Sequence, residues 1–307
     1  MVYLVLGETG VGKTRKIKLE AQRYLQDMPS IGKAGRPVLS FDTNDDDYPE
    51  FRSVSPDHLH LLEAAAPRRI RPFNPDGSPM NHDQKKEVVK KIVATFRGGL
   101  VILDDVDHYM AGAKGQAIIS ALVSVRHMGV DLLLTHQSAS KITTTEWEAS
   151  TWIRFHHQVD NVNRYKNRIP NYALIRIAQL IVNEQYDEAN RALSMGLITK
   201  KESIIYKSFC VYINTRSLKI MGCSKAAFIR AAIKYITQEE GAQIRVMMNE
   251  WTFGKKSKLK YKDRKQAVMA LLSRYMRFYE DDHYNSSTED GHYIPFDQQN
   301  QTLRQVA

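Results

Sequence analysis

The chain has 307 residues and 43% hydrophobic content, which suits one large domain or two modest ones around a substantial core. Its cysteines, Cys210 and Cys223, form no disulfide framework or metal-ligand pattern, and neither a signal peptide nor an apolar run of roughly 20 residues is present, so we expect a soluble protein in a reducing compartment. The net charge of +10 favours a polyanionic partner, with a generally lysine-rich surface as the alternative.

The N-terminal segment carries a phosphate-binding motif between a predicted strand, Val2–Leu6, and a predicted helix, Lys13–Gln26. Its glycines allow successive backbone N–H groups to point at phosphate oxygens, and the new helix adds its positive end. Lys13 is placed to reach the β- and γ-phosphates of ATP, and the Thr14 hydroxyl to ligate Mg²⁺. The predicted nucleotide-binding residues are Gly7, Glu8, Thr9, Gly10, Val11, Gly12, Lys13 and Thr14.

The rest of the first half alternates apolar strands with helical patterns, which is typical of a parallel α/β sheet. The predicted strands are Val38–Asp42, Arg69–Phe73, Leu100–Leu103, Val130–Leu134 and Trp152–His156. The predicted helices are Asp83–Phe96 and Gly115–Val125.

Two carboxylates follow the strand Leu100–Leu103. Asp104 is the expected Mg²⁺ anchor, and Asp105 is the candidate to polarise the water that attacks the nucleotide. The alternative is a pair of acids that only cap the end of a strand. Asp107, in the following loop, is expected to be solvated.

Polar residues also end the next strand, at Thr135-His136-Gln137. Gln137 is the predicted contact for the water or the γ-phosphate, because an amide both donates and accepts hydrogen bonds. A polar strand end that faces solvent is the alternative. Arg126 either neutralises transition-state charge across a subunit interface or satisfies carbonyl groups at a helix end.

The second half is predicted to be mainly helical. Its helices are Tyr172–Glu184, Tyr186–Met195, Ala226–Tyr235 and Gln266–Tyr279, with a hairpin formed by Phe209–Ile213 and Leu218–Met221. We therefore expect an ATPase core over residues 1–157, a basic helical region with a short hairpin over 158–279, and a polar tail over 280–307 that is flexible.

A lysine-rich segment of this half, interleaved with Trp251, Phe253 and Tyr261, is predicted to follow a DNA backbone without reading its sequence. A solvated linker is the alternative. The candidate DNA-binding residues are Lys255, Lys256, Lys258, Lys260 and Lys262.

These motifs, in this order, resemble those of the FtsK–HerA superfamily of DNA-pumping ATPases. The segment Arg126–Gln137 looks most like the viral genome-packaging ATPases and the Zot-like phage assembly ATPases. The resemblance covers about residues 1–157 and implies an α/β fold: a P-loop NTPase (RecA/ASCE-like) parallel sheet flanked by helices, followed by a mainly helical C-terminal region.

The resemblance implies a homo-oligomeric ring, commonly hexameric, that uses ATP and Mg²⁺ to move DNA, with Arg126 acting in trans and Gln137 as sensor. Asp105 departs from the usual Glu. The absence of a membrane segment favours genome packaging, in the host cytoplasm or at the packaging vertex of a virion with capsid proteins as partners. The alternatives are a Zot-like or conjugation-type ATPase that works at a membrane through a partner, and a nucleotide switch or small-molecule kinase.

Overall fold

The computed structural model describes residues 1–27, 29, 32, 34–62, 64–109, 122, 128–252 and 258–281. Within it the chain divides into two compact units. The first unit contains Met1–Arg154, Gln158–Asn161 and Asn167–Pro170. The second unit contains Phe155–His157, Val162–Lys166 and the chain from Asn171 onward.

A parallel sheet forms the centre of the first unit. Its strands are β1 (Val2–Leu6), β2 (Val38–Phe41), β3 (Arg52–Ser53), β4 (Pro67–Ile70), β5 (Leu100–Leu103) and β6 (Asp131–His136). They lie in the order β3-β4-β2-β5-β6-β1, and each neighbouring pair is parallel. Every residue of β2, β5 and β6 is buried, as expected for strands covered on both faces.

Helices and turns connect these strands. The helices are α1 (Lys13–Leu25), α2 (His82–Thr95), α3 (Val106–Tyr109) and α4 (Thr144–Ala149), and short 3₁₀ helices cover Pro56–Leu61 and Ala139–Lys141. Helices α2 and α4 each begin with a capping box. The side chain of the residue before the helix accepts a hydrogen bond from the backbone N–H of the third helical residue, and the side chain of that third residue accepts one from the backbone N–H of the residue before the helix. A further strand, β7 (Trp152–His156), begins in the first unit and ends in the second.

The core of the first unit joins α1 to the sheet. Ile17 and Ala21, four residues apart on α1, are fully buried in one apolar cluster with residues of β1, β2, β5 and β6. Tyr48 and Phe51, from the chain after β2, belong to the same cluster. The helix that follows the phosphate-binding motif is therefore fixed against the strands that carry the other candidate site residues.

The second unit is mainly helical. Its elements are α5 (Tyr172–Ser194), α6 (Lys200–Lys207), β8 (Cys210–Asn214), β9 (Lys219–Met221), α7 (Lys225–Glu239), α8 (Gly241–Met248) and α9 (Arg264–Tyr275), followed by a 3₁₀ turn at Met276–Phe278. Strands β8 and β9 form an antiparallel hairpin. Helix α7 packs against both α5 and α9, and Tyr235 on α7 contacts the rings of Tyr172 and Tyr275. None of the helices that the structure describes is long and apolar enough to cross a membrane.

Most of the predicted elements are confirmed, and two predictions are wrong. The helices predicted over Tyr172–Glu184 and Tyr186–Met195 are one continuous helix, because Gln185 between them is helical and buried. The strand predicted over Arg69–Phe73 is β4 and ends at Ile70, since Phe73 instead forms an antiparallel bridge with Pro79.

Sequence reasoning missed the short helices α4, α6 and α8. The signal for α4 and α6 was present, because each begins with a Thr followed three residues later by Glu. The predicted helix Gly115–Val125, apart from Leu122, and the predicted tail beyond residue 281 lie outside the described residues.

The close approach of β5 to the start of β2 depends on Gly99. A methyl group built on Gly99 would lie 2.2 Å from the carbonyl oxygen of Pro37 and 2.9 Å from the ring of Phe96. We expect Gly99→Ala to destabilise the protein by about 1–3 kcal/mol through overpacking. Thermal unfolding should show a loss of roughly 2–4 °C for each kcal/mol. Gly241→Ala is the matched control, because no atom lies within 4 Å of the added methyl group there; an equal loss in both variants would contradict the explanation.

Candidate functional site

The loop between β1 and α1 has the backbone shape that the motif predicts. Gly10 and Gly12 have φ angles of 86° and 77°, which residues with a side chain rarely adopt. Gly12 caps α1 without a side-chain hydrogen bond, and the first N–H groups of a helix have no acceptor within the helix. A side chain at Gly10 would meet no atom within 4 Å. The loop is thus open on this side, and its backbone donors are suited to an anion.

Lys13 lies across this loop and is largely buried. Its ammonium group donates hydrogen bonds to the carbonyl oxygens of Gly7 (2.5 Å) and Glu8 (3.0 Å). Burial lowers the pKa of Lys13, and the charges of Asp105 and Asp104 oppose that change. The lysine predicted to reach phosphates therefore lies within electrostatic range of the two predicted acids.

Asp104 directly follows β5 and is buried, with 4% of its surface exposed. The Thr135 hydroxyl donates to Oδ1 (2.5 Å) and the Tyr48 hydroxyl donates to Oδ2 (3.0 Å). Burial raises the pKa of Asp104 to about 6; the hydrogen bond from Thr135 opposes this shift, and the nearby Asp105 and Asp47 add to it. A cation at this carboxylate would favour its ionised form.

Asp105 adopts a backbone φ of 45°, in the left-handed region that is unusual for a residue other than glycine. Its N–H group donates to the Thr135 hydroxyl oxygen at 2.7 Å. Its carboxylate oxygen Oδ2 accepts hydrogen bonds from the Gln137 amide (3.2 Å) and the Asn44 amide (3.3 Å). Asp105 and Gln137, which were predicted separately, are in direct contact.

Thr135 is a site residue that sequence reasoning missed. Its hydroxyl, which is fully buried, donates to Asp104 and accepts from the Asp105 N–H, so one group orients both acids. The available signal was the polar triplet at the end of β6, from which only Gln137 was chosen.

The expectation that Asp107 is solvated is wrong. Its side chain is 7% exposed; Oδ2 accepts the Gln137 backbone N–H at 3.0 Å, and Oδ1 lies 2.9 Å from Nδ1 of His136. Asp107 lies in the first turn of α3, two residues after Asp105, and its carboxylate reaches back to the end of β6. It fixes the backbone of Gln137 while that side chain contacts Asp105.

The oxygen groups here suit Mg²⁺, although they do not form a complete cage. Among the described residues, no cluster of three or more His, Cys, Asp or Glu side chains is arranged to hold a metal. Magnesium usually takes one or two protein ligands and completes its shell with water and substrate phosphates. The Thr14 hydroxyl and the Asp104 carboxylate are ligands of the correct chemistry for that role.

The structure describes only some of the remaining predicted residues. Arg126, Lys255 and Lys256 lie outside the described residues. Lys258, Lys260 and Lys262 are exposed in the second unit, and the Lys260 ammonium lies 2.9 Å from Glu250 and over the Tyr261 ring at 5.3 Å. Lys260 is therefore partly neutralised within its own segment.

The sheet order and the site together define a P-loop NTPase fold. Strand β6 lies between β1, which carries the phosphate-binding loop, and β5, which carries the acid pair. An additional strand at this place is typical of the predicted RecA/ASCE-like fold. The family model described as Zonular occludens toxin (Zot) matches residues 1–168. The match covers more than half of the chain, and the protein belongs to the Zot family.

Solved structures of low sequence identity were also found. The genome packaging NTPase B204 from Sulfolobus turreted icosahedral virus 2, in complex with AMPPCP, is 14% identical, with 72% of this chain and 95% of that chain covered and a TM-score of 0.44. The N-terminal domain of zonular occludens toxin from Neisseria meningitidis is 21% identical, with 52% and 77% covered and a TM-score of 0.32. No curated protein sequence matched the chain.

The double role of the Thr135 hydroxyl leads to a test of stability and activity together. Thr135→Val keeps the shape of the side chain but removes the hydroxyl that donates to Asp104 and accepts from the Asp105 N–H, which keeps only its 3.1 Å bond to Asp104 Oδ1. Loss of the hydrogen bond to a buried carboxylate should cost about 1–3 kcal/mol. We expect a lower unfolding temperature and a large loss of ATP turnover. Thr135→Ser keeps the hydroxyl and should retain most of the turnover. Equal losses of turnover in the two variants would show that the hydroxyl is not the important group.

The raised pKa of Asp104 predicts a pH-dependent stability. Because the pKa of the Asp104 carboxyl group is higher in the folded protein than in the unfolded chain, the free energy of unfolding falls as the pH rises from about 4 to about 6. Asp104→Asn removes that effect. Without Mg²⁺ or nucleotide, the variant should unfold at a higher temperature than wild type at about pH 8, with the difference disappearing near pH 4. A difference that is constant with pH would contradict the assignment.

Proposed function

We propose that this protein is an ATP hydrolase that moves DNA, acting as a homo-oligomeric ring. One observation carries the hydrolytic part: the Asp104–Thr135–Asp105–Gln137 hydrogen-bond network lies at the ends of β5 and β6. Strand β6 is the neighbour of β1, and the Gly7 N–H group at the start of the phosphate-binding loop donates to the His136 carbonyl at 3.1 Å. A loop that only binds nucleotide has no need of a second carboxylate held in a strained backbone conformation.

Each group has a separate task in this mechanism. The backbone N–H groups of residues 7–14 bind the triphosphate, and Lys13 balances charge on the β- and γ-phosphates. Thr14 and Asp104 would hold Mg²⁺, and the bound metal would supply positive charge to the phosphate oxygens. Asp105 orients the attacking water and accepts its proton, and Gln137 holds Asp105 from the neighbouring strand. Arg126 is proposed to act on the nucleotide of an adjacent subunit.

Support for DNA as the partner comes from charge. The chain carries +10, and in the second unit Lys258 and Lys262 are exposed, as is Trp251, with 57% of its surface exposed. An antiparallel bridge joins Trp251 to Leu259, the residue directly after Lys258. Lysines and an exposed aromatic ring bind a nucleic-acid backbone and its bases without regard to sequence. Packaging of a viral genome is the form of translocation that we propose first.

A second candidate follows from the family itself. The Zot match over residues 1–168 favours an ATPase that drives assembly or DNA export at a membrane, with a partner chain providing the membrane contact. The two candidates share the same hydrolytic site and differ in what stimulates it.

The decisive measurement is the ATPase rate with single-stranded DNA, with double-stranded DNA and without DNA, at low and high salt. We expect DNA to stimulate turnover, and the stimulation to weaken steeply with salt because backbone binding releases counterions. Lys13→Ala should abolish turnover, and Asp105→Asn should bind ATP without hydrolysing it. Retained turnover in Lys13→Ala would remove the site assignment. Stimulation by membranes bearing a partner, with none by DNA, would favour the second candidate.

A further inference from the structure

The loop after β2, residues 42–48, is held by two arginines of the β4 segment, which neighbours β2 on the side away from β5. Arg69 donates to Oδ2 of Asp42 (2.9 Å) and to the carbonyl oxygen of Asp45 (2.9 Å). Arg71 makes a bidentate pair with the Asp45 carboxylate, at 2.6 Å and 2.5 Å. Asp45 also has a φ of 65°, so the turn depends on these contacts for its shape. We call residues 42–48 the β2 loop.

The other end of the β2 loop is attached to the acid pair. Tyr48 is fully buried in the core and donates its hydroxyl to Asp104, while its N–H group donates to Asp42 Oδ2 at 3.2 Å. The Thr43 hydroxyl donates to the backbone carbonyl of Asp104 at 3.4 Å. Since both ends are fixed, the residues between them have defined positions in front of the site.

Asn44 uses that position to contact two carboxylates at once. Its amide nitrogen donates to Asp47 Oδ2 (2.9 Å) and to Asp105 Oδ2 (3.3 Å), which suits a group with two N–H bonds. Asp47 in turn accepts from the Thr14 hydroxyl through Oδ1, at 3.5 Å. A continuous series of polar contacts thus runs from the phosphate-binding loop, through Asn44, to Asp105.

Given the hydrolytic role proposed above, on which this inference rests, we propose that Asn44 is a positioning residue for ATP hydrolysis. It acts with Gln137: both amides donate to Oδ2 of Asp105, one from each side of β5. Among the described residues no side-chain hydrogen bond falls on Oδ1 of Asp105, which leaves that oxygen to meet the attacking water. A carboxylate that is held on one oxygen and rotates little presents the other in a constant direction.

This role explains why an amide, rather than a carboxylate, stands at position 44 in an acidic loop. Asp42, Asp45, Asp46 and Asp47 surround it, and a further acid would repel both Asp47 and Asp105. The role also bears on the use of Asp at 105. Aspartate has a shorter side chain than glutamate, so its reach depends more strongly on where its backbone and carboxylate are held.

The test compares Asn44→Ala with Asn44→Asp. Asn44 is exposed, so both variants should unfold within a few degrees of wild type. Asn44→Ala should lower kcat by about 10- to 100-fold, as loss of orientation does, while KM and the dissociation constant for a fluorescent ATP analogue stay within about twofold. Asn44→Asp keeps the side-chain shape but should lower kcat further, because it loses the donor and adds repulsion.

Asn190→Ala is the matched control, because this asparagine is exposed on α5 in the second unit, and it should keep wild-type kcat. Wild-type kcat in Asn44→Ala and Asn44→Asp, with Lys13→Ala inactive, would overturn the positioning role and leave the hydrolytic function intact. Equal losses of kcat and nucleotide affinity would also overturn it, because they would point to a loop that only shapes the binding pocket. An inactive wild-type protein would remove both proposals.

Discussion

The hydroxyl group of Thr135 joins the two acidic residues after β5 to the strand beside them, and the geometry of the site depends on that contact. It exists because β5 and β6 are parallel neighbours in the register Leu103 opposite Leu134, which puts Thr135 level with Asp104. The same strand pairs with β1 so that His136 lies opposite Leu6, directly before the phosphate-binding loop. Strand β6 therefore sets the relation between the loop and the acids.

The site also concentrates charge where water is scarce. Lys13 and Asp104 are both buried, and burial shifts the pKa of each toward its neutral form. Ions in such a place are stable only when opposite charges and hydrogen bonds surround them. Here the Thr135 and Tyr48 hydroxyls hold Asp104, and backbone carbonyls hold Lys13. A bound triphosphate with its metal would supply the charges that suit both groups.

The β2 loop shows how a segment with no motif becomes part of the site. Asp42 to Asp47 suggest only a solvated acidic turn when taken from the sequence. In the fold, Arg69 and Arg71 neutralise Asp42 and Asp45 on the outer side, and Tyr48 anchors the loop in the core. Asn44 and Asp47 are thereby held against residues that lie far away in the chain.

The sequence by itself determined the parallel α/β fold, the phosphate-binding loop and the acid pair, because these are local patterns: apolar runs, glycines at fixed spacing and charges at strand ends. It could not reveal Thr135, Asp107, Asn44 or Tyr48 as partners of those acids. Their side chains contact the acids only because strands distant in sequence become neighbours in the sheet. Hydrogen bonds between such residues produce no periodic pattern in the sequence. Strand order and register determine which residues become neighbours, and both are properties of the tertiary structure.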